Sequence, residues 1–183
     1  MSGVGTRFFL AVEAPAKVLD LSGIEWLDAE YLRKVRSDQR HVTSAFLGNV
    51  SRGKIDALVG ALSDFSFRKF VVQVKGISAF SDRPRVIFAG VAKGREELEE
   101  LSARLRDIAK GVGIEVEERE FSPHITIARV RNQSHSRELA ERIKEYRDHD
   151  FGSFICDSVK LKRSVLMPEG PEYTDIFTVR ASH

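Results

Sequence analysis

The amino-acid sequence predicts an α+β protein that is bilobal, with two pseudo-symmetric lobes that each contain an antiparallel sheet and helices. A His-x-Thr segment at residues 41–43 is repeated at residues 124–126, and both copies lie in the same order of strand, helix, His-x-Thr strand, helix and strand. The chain has 183 residues, of which 42% are hydrophobic, which is enough for one compact domain but not for two independent large ones. We therefore expect a single domain over residues 1–183, with an internal repeat at roughly 6–80 and 85–180 and an active-site cleft between the lobes.

The first half of the chain predicts two flanking strands and two helices around the first motif. Residues 7–12 read as a strand, and a helical stretch follows over about 16–32, which Gly23 weakens. After the motif, Ser51 is a suitable helix N-cap, and residues 67–74 form the next strand. The helix behind Ser51 has an apolar stripe with the spacing i, i+3, i+4 and i+7, which consists of Ile55, Leu58, Val59 and Leu62.

The second half predicts the same order of elements. A turn over residues 79–85 leads to a strand over 86–91, and the helix that follows ends near Gly111. After the second motif, Ser134 is the N-cap of a further helix, and residues 151–161 read as the last strand of the repeat. The apolar seam of the helix before the motif consists of Leu98, Leu101, Leu105 and Ile108.

The repeated motif has a chemical interpretation. Alternate residues of a strand share a face, so His41 lies beside Thr43 and His124 beside Thr126. If an approximate two-fold axis relates the lobes, one neutral imidazole can accept a proton while the other, protonated, donates one. The threonine hydroxyls are donors suited to phosphate oxygens. The pattern therefore predicts an in-line displacement at phosphorus without a metal, and the alternative is that these residues only hold a duplicated fold together through hydrogen bonds.

Composition limits the other classes of function. Lys and Arg number 29 against 27 Asp and Glu, a net charge of +2, so any surface for nucleic acid must be local. Cys156 is the only cysteine, which excludes an internal disulfide and a Cys-based zinc site, and two histidines are too few ligands for zinc. We expect no metal and no cofactor. The apolar run at residues 8–12 is too short to span a membrane and has no secretory features, which favours a cytoplasmic protein without a membrane partner.

Four stretches of the sequence carry a resemblance to a known family: residues 7–12, 41–48, 121–129 and 161–173. They resemble, in order and spacing, the two-histidine (2H) phosphoesterases, and within them the RNA 2′,3′-cyclic phosphodiesterase branch, also called the 2′-5′ RNA ligase family. The resemblance covers nearly the whole chain. It implies a bilobal fold with the two histidines at the floor of a cleft.

The resemblance also implies a reaction. A 2′,3′-cyclic phosphate at an RNA 3′ end is hydrolysed to a 2′-phosphate, or such an end is joined to a 5′-hydroxyl through a 2′-5′ linkage, in both cases without a metal. His41 would be the proton donor to the leaving 3′ oxygen and His124 the proton acceptor from water, while Thr43 and Thr126 hold the phosphate. The implied partners are RNA 3′ ends with a cyclic phosphate, such as those of tRNA halves, and no obligate protein partner is evident.

Two further residues receive roles from the resemblance. Arg129 would stabilise charge on the phosphoryl oxygens, and Phe46 would stack on a nucleobase. Each lies five residues after its histidine, where a regular strand turns the side chain to the opposite face. Either a bulge or a strong twist redirects both side chains, or Arg129 is a surface cation and Phe46 a core residue.

The chain departs from the family pattern around the first motif. Lys34 lies where an aromatic residue is frequent, Arg40 where an apolar residue is usual, and Ser44 where a longer apolar residue is usual. Basic residues that could extend a rim for RNA phosphates, but that individually read as solvated surface, are Arg40, Lys160, Lys162 and Arg163. Two other functions stay open: a phosphoesterase for a small nucleotide cyclic phosphate, and a non-catalytic module that binds RNA ends.

Overall fold

The computed structural model describes residues 6–118 and 120–182 of the chain. Residues 1–5, 119 and 183 of the expected domain lie outside the described residues. Three short 3-10 helices cover Glu25–Asp28, Ser37–Gln39 and Gln133–His135. The α-helices and strands are β1 (Thr6–Glu13), β2 (Leu32–Lys34), β3 (His41–Gly48), α1 (Arg52–Ser63), β4 (Phe70–Ala79), β5 (Val86–Lys93), α2 (Arg95–Gly111), β6 (His124–Val130), α3 (Ser136–Glu145), β7 (Asp150–Cys156), β8 (Ser158–Met167) and β9 (Gly170–Arg180).

The strands of the described residues form one curled sheet in the order β7-β4-β5-β6-β3-β1-β8-β9, with the short β2 paired to β6. All of these strand pairs are antiparallel. The sheet has two four-stranded halves, which meet where Val42 of β3 pairs with Ile125 of β6. The predicted α+β class with antiparallel sheets is confirmed.

The two halves of the sheet do not coincide with the two halves of the sequence. Strand β4, which belongs to the first repeat, pairs with β5 and β7 of the second. Conversely, β8 of the second repeat pairs with β1 of the first, and β9 pairs with the other edge of β8. Each half of the sheet thus contains strands from both repeats.

Helices α1 and α2 form where their apolar stripes predict, whereas Ser134 is not an N-cap: it lies in the 3-10 helix Gln133–His135, and α3 begins at Ser136. Helix α1 begins directly after Ser51, and its buried residues are Ile55, Leu58 and Leu62. Helix α2 packs against β3 and buries Leu98, Leu101 and Leu105. The Ser102 hydroxyl of α2 donates a 2.6 Å hydrogen bond to the carbonyl oxygen of Ser44 in β3. One face of β3 is therefore covered by helix, and its other face stays open.

The prediction of a helix over residues 16–32 is wrong. The segment contains turns and the 3-10 helix Glu25–Asp28, with successive i→i−3 hydrogen bonds such as Ile24 N to Leu21 O and Leu27 N to Ile24 O. Besides Leu19, every third residue from position 18 is buried: Val18, Leu21, Ile24 and Leu27. A period of three matches the 3-10 turn and not the 3.6-residue turn of an α-helix, which explains the error.

The expected strand over residues 151–161 is two strands. The chain leaves β7 at Asp157, whose carbonyl oxygen accepts a 2.7 Å hydrogen bond from the amide of Ala181. Strand β7 then completes one half of the sheet, while β8 pairs with β1 in the other half. One continuous apolar pattern in the sequence thus forms two strands that pair in different halves of the sheet.

Candidate active site

The two His-x-Thr motifs lie side by side at the junction of the half-sheets. With Val42 paired to Ile125, continuation of the antiparallel register sets His41 opposite Thr126 and Thr43 opposite His124. All four side chains are partly exposed, whereas Val42 and Ile125 are 1% and 0% exposed. The predicted division into a polar and an apolar face is confirmed. We call the sheet face that carries these four side chains the site face.

Each histidine is held by the same local hydrogen bond. The Nδ1 atom of His41 lies 2.7 Å from the carbonyl oxygen of Gln39, and the Nδ1 atom of His124 lies 2.8 Å from that of Ser122. A carbonyl oxygen can only accept, so Nδ1 carries the proton in both rings. Nε2 is then the nitrogen that each ring has available for proton exchange with a substrate.

The surroundings of His41 disfavour its charged form. Burial lowers its pKa to about 4; the positive charge of Lys162 and the nearby His124 act in the same direction, and the Gln39 carbonyl and Glu13 act against it. The imidazole of His41 is therefore neutral at pH 7 in the unliganded protein. An anion bound between the two histidines would favour its protonated form.

Next to His41 lies a cluster of four charges, two lysines and two carboxylates, which we call the charge quartet. Lys162 Nζ lies 2.5 Å from Glu13 Oε1 and 2.6 Å from Asp175 Oδ1, and Lys160 Nζ lies 2.7 Å from the other oxygen of each carboxylate. Glu13 is directly opposite His41 in the β1–β3 pair. Although burial acts to raise it, the two lysines hold the pKa of Glu13 below its usual range.

Two of the four residues of the expected basic rim are in fact buried. Lys162 is 6% exposed because it is enclosed by the charge quartet, and Arg40 is 7% exposed. The guanidinium of Arg40 donates to the backbone carbonyls of Leu19 and Val35, so it supports the turns of residues 16–31 and is not on the surface. Reading these two residues as solvated surface was wrong.

A β-bulge lies at the same place in both motif strands. In the β1–β3 pair, Leu10 is opposite Ala45 and Ala11 is opposite Thr43, so Ser44 is an extra residue. In the β5–β6 pair, the partners shift from Phe88↔Thr126 to Ile87↔Ala128, so Ile127 is the extra residue. In each strand the extra residue is the third after the histidine.

The bulges determine where Phe46 and Arg129 point. An extra residue restores the side chain five positions after each histidine to the histidine's own face. Phe46 is 59% exposed, so the core interpretation of Phe46 is wrong. Arg129 is exposed. Its charge acts on Tyr173, because burial raises the pKa of the Tyr173 hydroxyl while Arg129 and Lys162 oppose that rise. Tyr173 in turn lies against His41.

Aromatic rings flank both imidazoles. The ring of His41 lies 5.0 Å from that of Phe9 and 5.5 Å from that of Tyr173. The ring of His124 lies 5.0 Å from that of Phe80 and 5.1 Å from that of Phe88. These contacts fix the ring planes on both sides of the junction, and Phe80 remains 61% exposed.

The described residues offer no metal centre, since they contain no group of three or more His, Cys, Asp or Glu side chains placed to hold an ion. In the same part of the chain, no helix is both long and apolar enough to cross a membrane.

Comparison with known proteins agrees with the two-motif geometry. The family model of the 2′-5′ RNA ligase superfamily matches residues 15–164, a span that includes both His-x-Thr motifs. The chain belongs to the 2′-5′ RNA ligase superfamily. The resemblance inferred from the sequence is thereby confirmed.

Other members of the superfamily match over most of their length. A protein from Aeropyrum pernix named RNA 2′,3′-cyclic phosphodiesterase is 31% identical over 153 residues, which cover 82% of this chain and 87% of that protein. One of the same name from Methanocaldococcus jannaschii is 31% identical over 171 residues, which cover 91% and 96%.

Solved structures of the superfamily share the fold. The crystal structure of Escherichia coli LigT complexed with 3′-AMP has a TM-score of 0.79 and 24% identity over 98% of this chain and 99% of that one. The crystal structure of TT0787 from Thermus thermophilus has a TM-score of 0.77 and 25% identity over 97% and 100%.

The sequence identified the motif residues of this superfamily member but missed their neighbours. Phe80, Phe88 and the charge quartet were not recognised, although Glu13 directly follows the first predicted strand and Phe88 lies in the predicted strand over 86–91. Alternation along those strands could have placed Phe88 on a polar face. The quartet needed the pairing of β8 with β1 and β9, which no local pattern specifies.

Proposed function

We propose that this member of the 2′-5′ RNA ligase superfamily hydrolyses 2′,3′-cyclic phosphates at RNA 3′ ends and leaves a 2′-phosphate. The observation that carries the proposal is the Val42–Ile125 pair, because it sets two equivalent His-x-Thr motifs beside each other on one open face. The names of the relatives from A. pernix and M. jannaschii support the same reaction.

The phosphate is bound by neutral donors and one positive charge. The hydroxyls of Thr43 and Thr126 donate to its non-bridging oxygens, one from each strand. Arg129, beyond Thr126 on the same face, stabilises the charge that develops on the phosphoryl group. The exposed ring of Phe46, at the opposite end of the junction, stacks on the base of the terminal nucleotide.

The two histidines exchange the protons of the displacement. Nε2 of His124 accepts a proton from water as the water oxygen bonds to phosphorus, and the P–O3′ bond breaks while the P–O2′ bond stays. Nε2 of His41 donates a proton to the departing O3′. Burial disfavours the protonated form of His41, so this form is populated when the anionic phosphate is bound beside it, and its proton then passes to the departing O3′ as that oxygen becomes an alkoxide.

The same residues support 2′-5′ joining. A 5′-hydroxyl in place of water gives up its proton to His124, its oxygen bonds to phosphorus, and O3′ leaves with the proton from His41. The product is a 2′-5′ phosphodiester. Hydrolysis and joining then differ only in the nucleophile.

We further propose that the substrates are intracellular RNA fragments with cyclic phosphate ends, such as tRNA halves, and that the protein acts in the cytoplasm. The thiol of Cys156 supports a reducing location, since it is free and buried, and burial raises its pKa to about 12.

The test is hydrolysis of a short oligoribonucleotide with a 2′,3′-cyclic phosphate, followed by mass spectrometry and phosphorus NMR in excess EDTA. We expect addition of one water and a 2′-phosphate product, at least 10²-fold slower in His41→Ala and His124→Ala. His149→Ala is the matched control, since this exposed histidine lies directly before β7. A 3′-phosphate product, or full activity in His124→Ala, contradicts the mechanism; binding without turnover indicates a module that only holds RNA ends.

A further inference from the structure

Two arginines lie directly opposite each other at one end of the site face. In the pair of β2 with β6, Arg33 is the partner of Arg129. Side chains in such a position share a face and have Cβ atoms about 5 Å apart, and two like charges there are destabilising. Among the described residues, neither guanidinium forms an ion pair with a carboxylate. The repulsion is therefore left uncompensated within this part of the protein.

The position of Arg33 is nevertheless fixed. Its guanidinium donates to the backbone carbonyl of Glu169 in the turn between β8 and β9. The guanidinium also lies against Gly170, whose φ of +134° is a backbone conformation that other residues rarely adopt. A carbonyl oxygen orients a guanidinium without neutralising it, so Arg33 keeps its charge and its remaining donors.

The arginine pair continues the row of motif residues. Strands β2 and β3 pair with the same edge of β6, β3 at Ile125 and β2 at residues 128–130. Moving along β6 from its start, the facing residues His41 and Thr126 therefore come first and the pair Arg33–Arg129 comes next. Arg129 is three residues beyond Thr126, or roughly 7–10 Å at the usual rise of a strand. Phe46 lies at the other end of the row. The two arginines thus face a group a short distance from the reacting phosphate, on the side away from the base.

On the basis of the proposed function, we propose that Arg33, together with Arg129, binds the phosphodiester on the 5′ side of the terminal nucleotide. Arg129 then lies between this phosphodiester and the reacting phosphate, and its five N–H donors serve both groups. A guanidinium pair is suited to a phosphate, which it can bind through two parallel hydrogen bonds per arginine. The terminal nucleoside carries its base at C1′ and this phosphate at C5′, and a cyclic mononucleotide has no phosphate at C5′. The site therefore prefers the end of an RNA strand to a free nucleoside 2′,3′-cyclic phosphate.

The test compares three substrates: a nucleoside 2′,3′-cyclic phosphate, the same compound with a 5′-phosphate, and a dinucleotide with a 2′,3′-cyclic phosphate. The measured quantity is the ratio of kcat/KM for each 5′-substituted substrate to that for the unsubstituted one. We expect wild-type ratios well above one and ratios about tenfold lower in Arg33→Gln, since one charged hydrogen-bonding partner is lost. Arg52→Gln is the matched control and leaves the ratios at their wild-type values, because that side chain is 95% exposed on α1.

The outcomes separate this inference from the function on which it rests. Wild-type ratios near one, or ratios that Arg33→Gln does not change, overturn the phosphodiester site while hydrolysis stands. Absence of hydrolysis of every cyclic phosphate by the wild type overturns the proposed function and this inference with it. If circular dichroism shows that Arg33→Gln is unfolded, Arg33→Lys replaces it. A lysine keeps the charge but not the planar fork, so we then expect ratios two- to fivefold lower than those of the wild type. Unchanged ratios in Arg33→Lys would contradict the phosphodiester site.

Discussion

The backbone of Val42 pairs with that of Ile125, and this pair joins the two halves of the sheet at the point where the two histidines meet. The side chains of both residues are buried on the face opposite the site. Packing beneath the junction and catalytic geometry above it therefore depend on the same two residues.

Replacing Ile125 by alanine should lower the free energy of unfolding by about 2–5 kcal/mol, because a fully buried isoleucine leaves a cavity when truncated. The measurement is urea unfolding followed by circular dichroism. Ile155→Ala is the control: it removes the same atoms from a side chain that is 58% exposed, and the loss should stay below about 0.5 kcal/mol. Equal losses in both variants would show that the junction is not packed as described.

Replacing Lys162 by methionine should raise the pKa of His41, because the lysine's positive charge is one of the causes that lower it. His41 must be protonated to donate, so its limb in the pH dependence of kcat/KM is the one on which activity falls as the pH rises, and this limb should move to higher pH in Lys162→Met. Loss of the two charged hydrogen bonds to Glu13 and Asp175 should also lower the free energy of unfolding by roughly 1–3 kcal/mol.

The controls for Lys162 separate charge from packing. Lys162→Arg keeps the positive charge and should leave the limb in place, and Lys69→Met removes a charge from an exposed position. A Lys162→Met protein that folds but in which the limb of His41 does not move contradicts the electrostatic role of the quartet.

The lowered pKa of His41 also predicts a pH-dependent stability. An unfolded histidine titrates near 6.5, so between pH 6.5 and about 4 the unfolded chain binds a proton at this residue that the folded protein does not. The contribution of His41 to the free energy of unfolding is therefore largest above pH 6.5. It declines as the pH falls, by up to about 3 kcal/mol below pH 4. The difference in unfolding free energy between wild type and His41→Gln should therefore change across this window, and carboxylates common to both proteins cancel. A constant difference from pH 8 to pH 4 would mean that the ring is solvated.

Local sequence patterns specified the motif faces, and long-range pairing determined the rest of the site. Alternation around His41 and His124 correctly placed Val42 and Ile125 in the core. No local signal marks Ser44 or Ile127 as the extra residue of a bulge, because the bulge is defined by the partner strand, and so the directions of Phe46 and Arg129 stayed open. Lys162 looked like surface because the carboxylates that enclose it are distant in sequence.

Replacing Ser44 by alanine should leave the free energy of unfolding unchanged or raise it by about 1 kcal/mol. The Ser44 hydroxyl is buried and, within the described part of the chain, has no hydrogen-bond partner, and a buried unpaired hydroxyl costs about 1–3 kcal/mol. The backbone carbonyl of Ser44 still accepts the hydrogen bond from Ser102 in this variant, so the bulge and the direction of Phe46 are kept. Ser102→Ala is the matched comparison: it removes the donor of that bond and should lower the free energy of unfolding by about 1 kcal/mol. Thermal and urea unfolding of both variants check the sign, and a clear loss of stability in Ser44→Ala would show that its hydroxyl is bonded to a buried water.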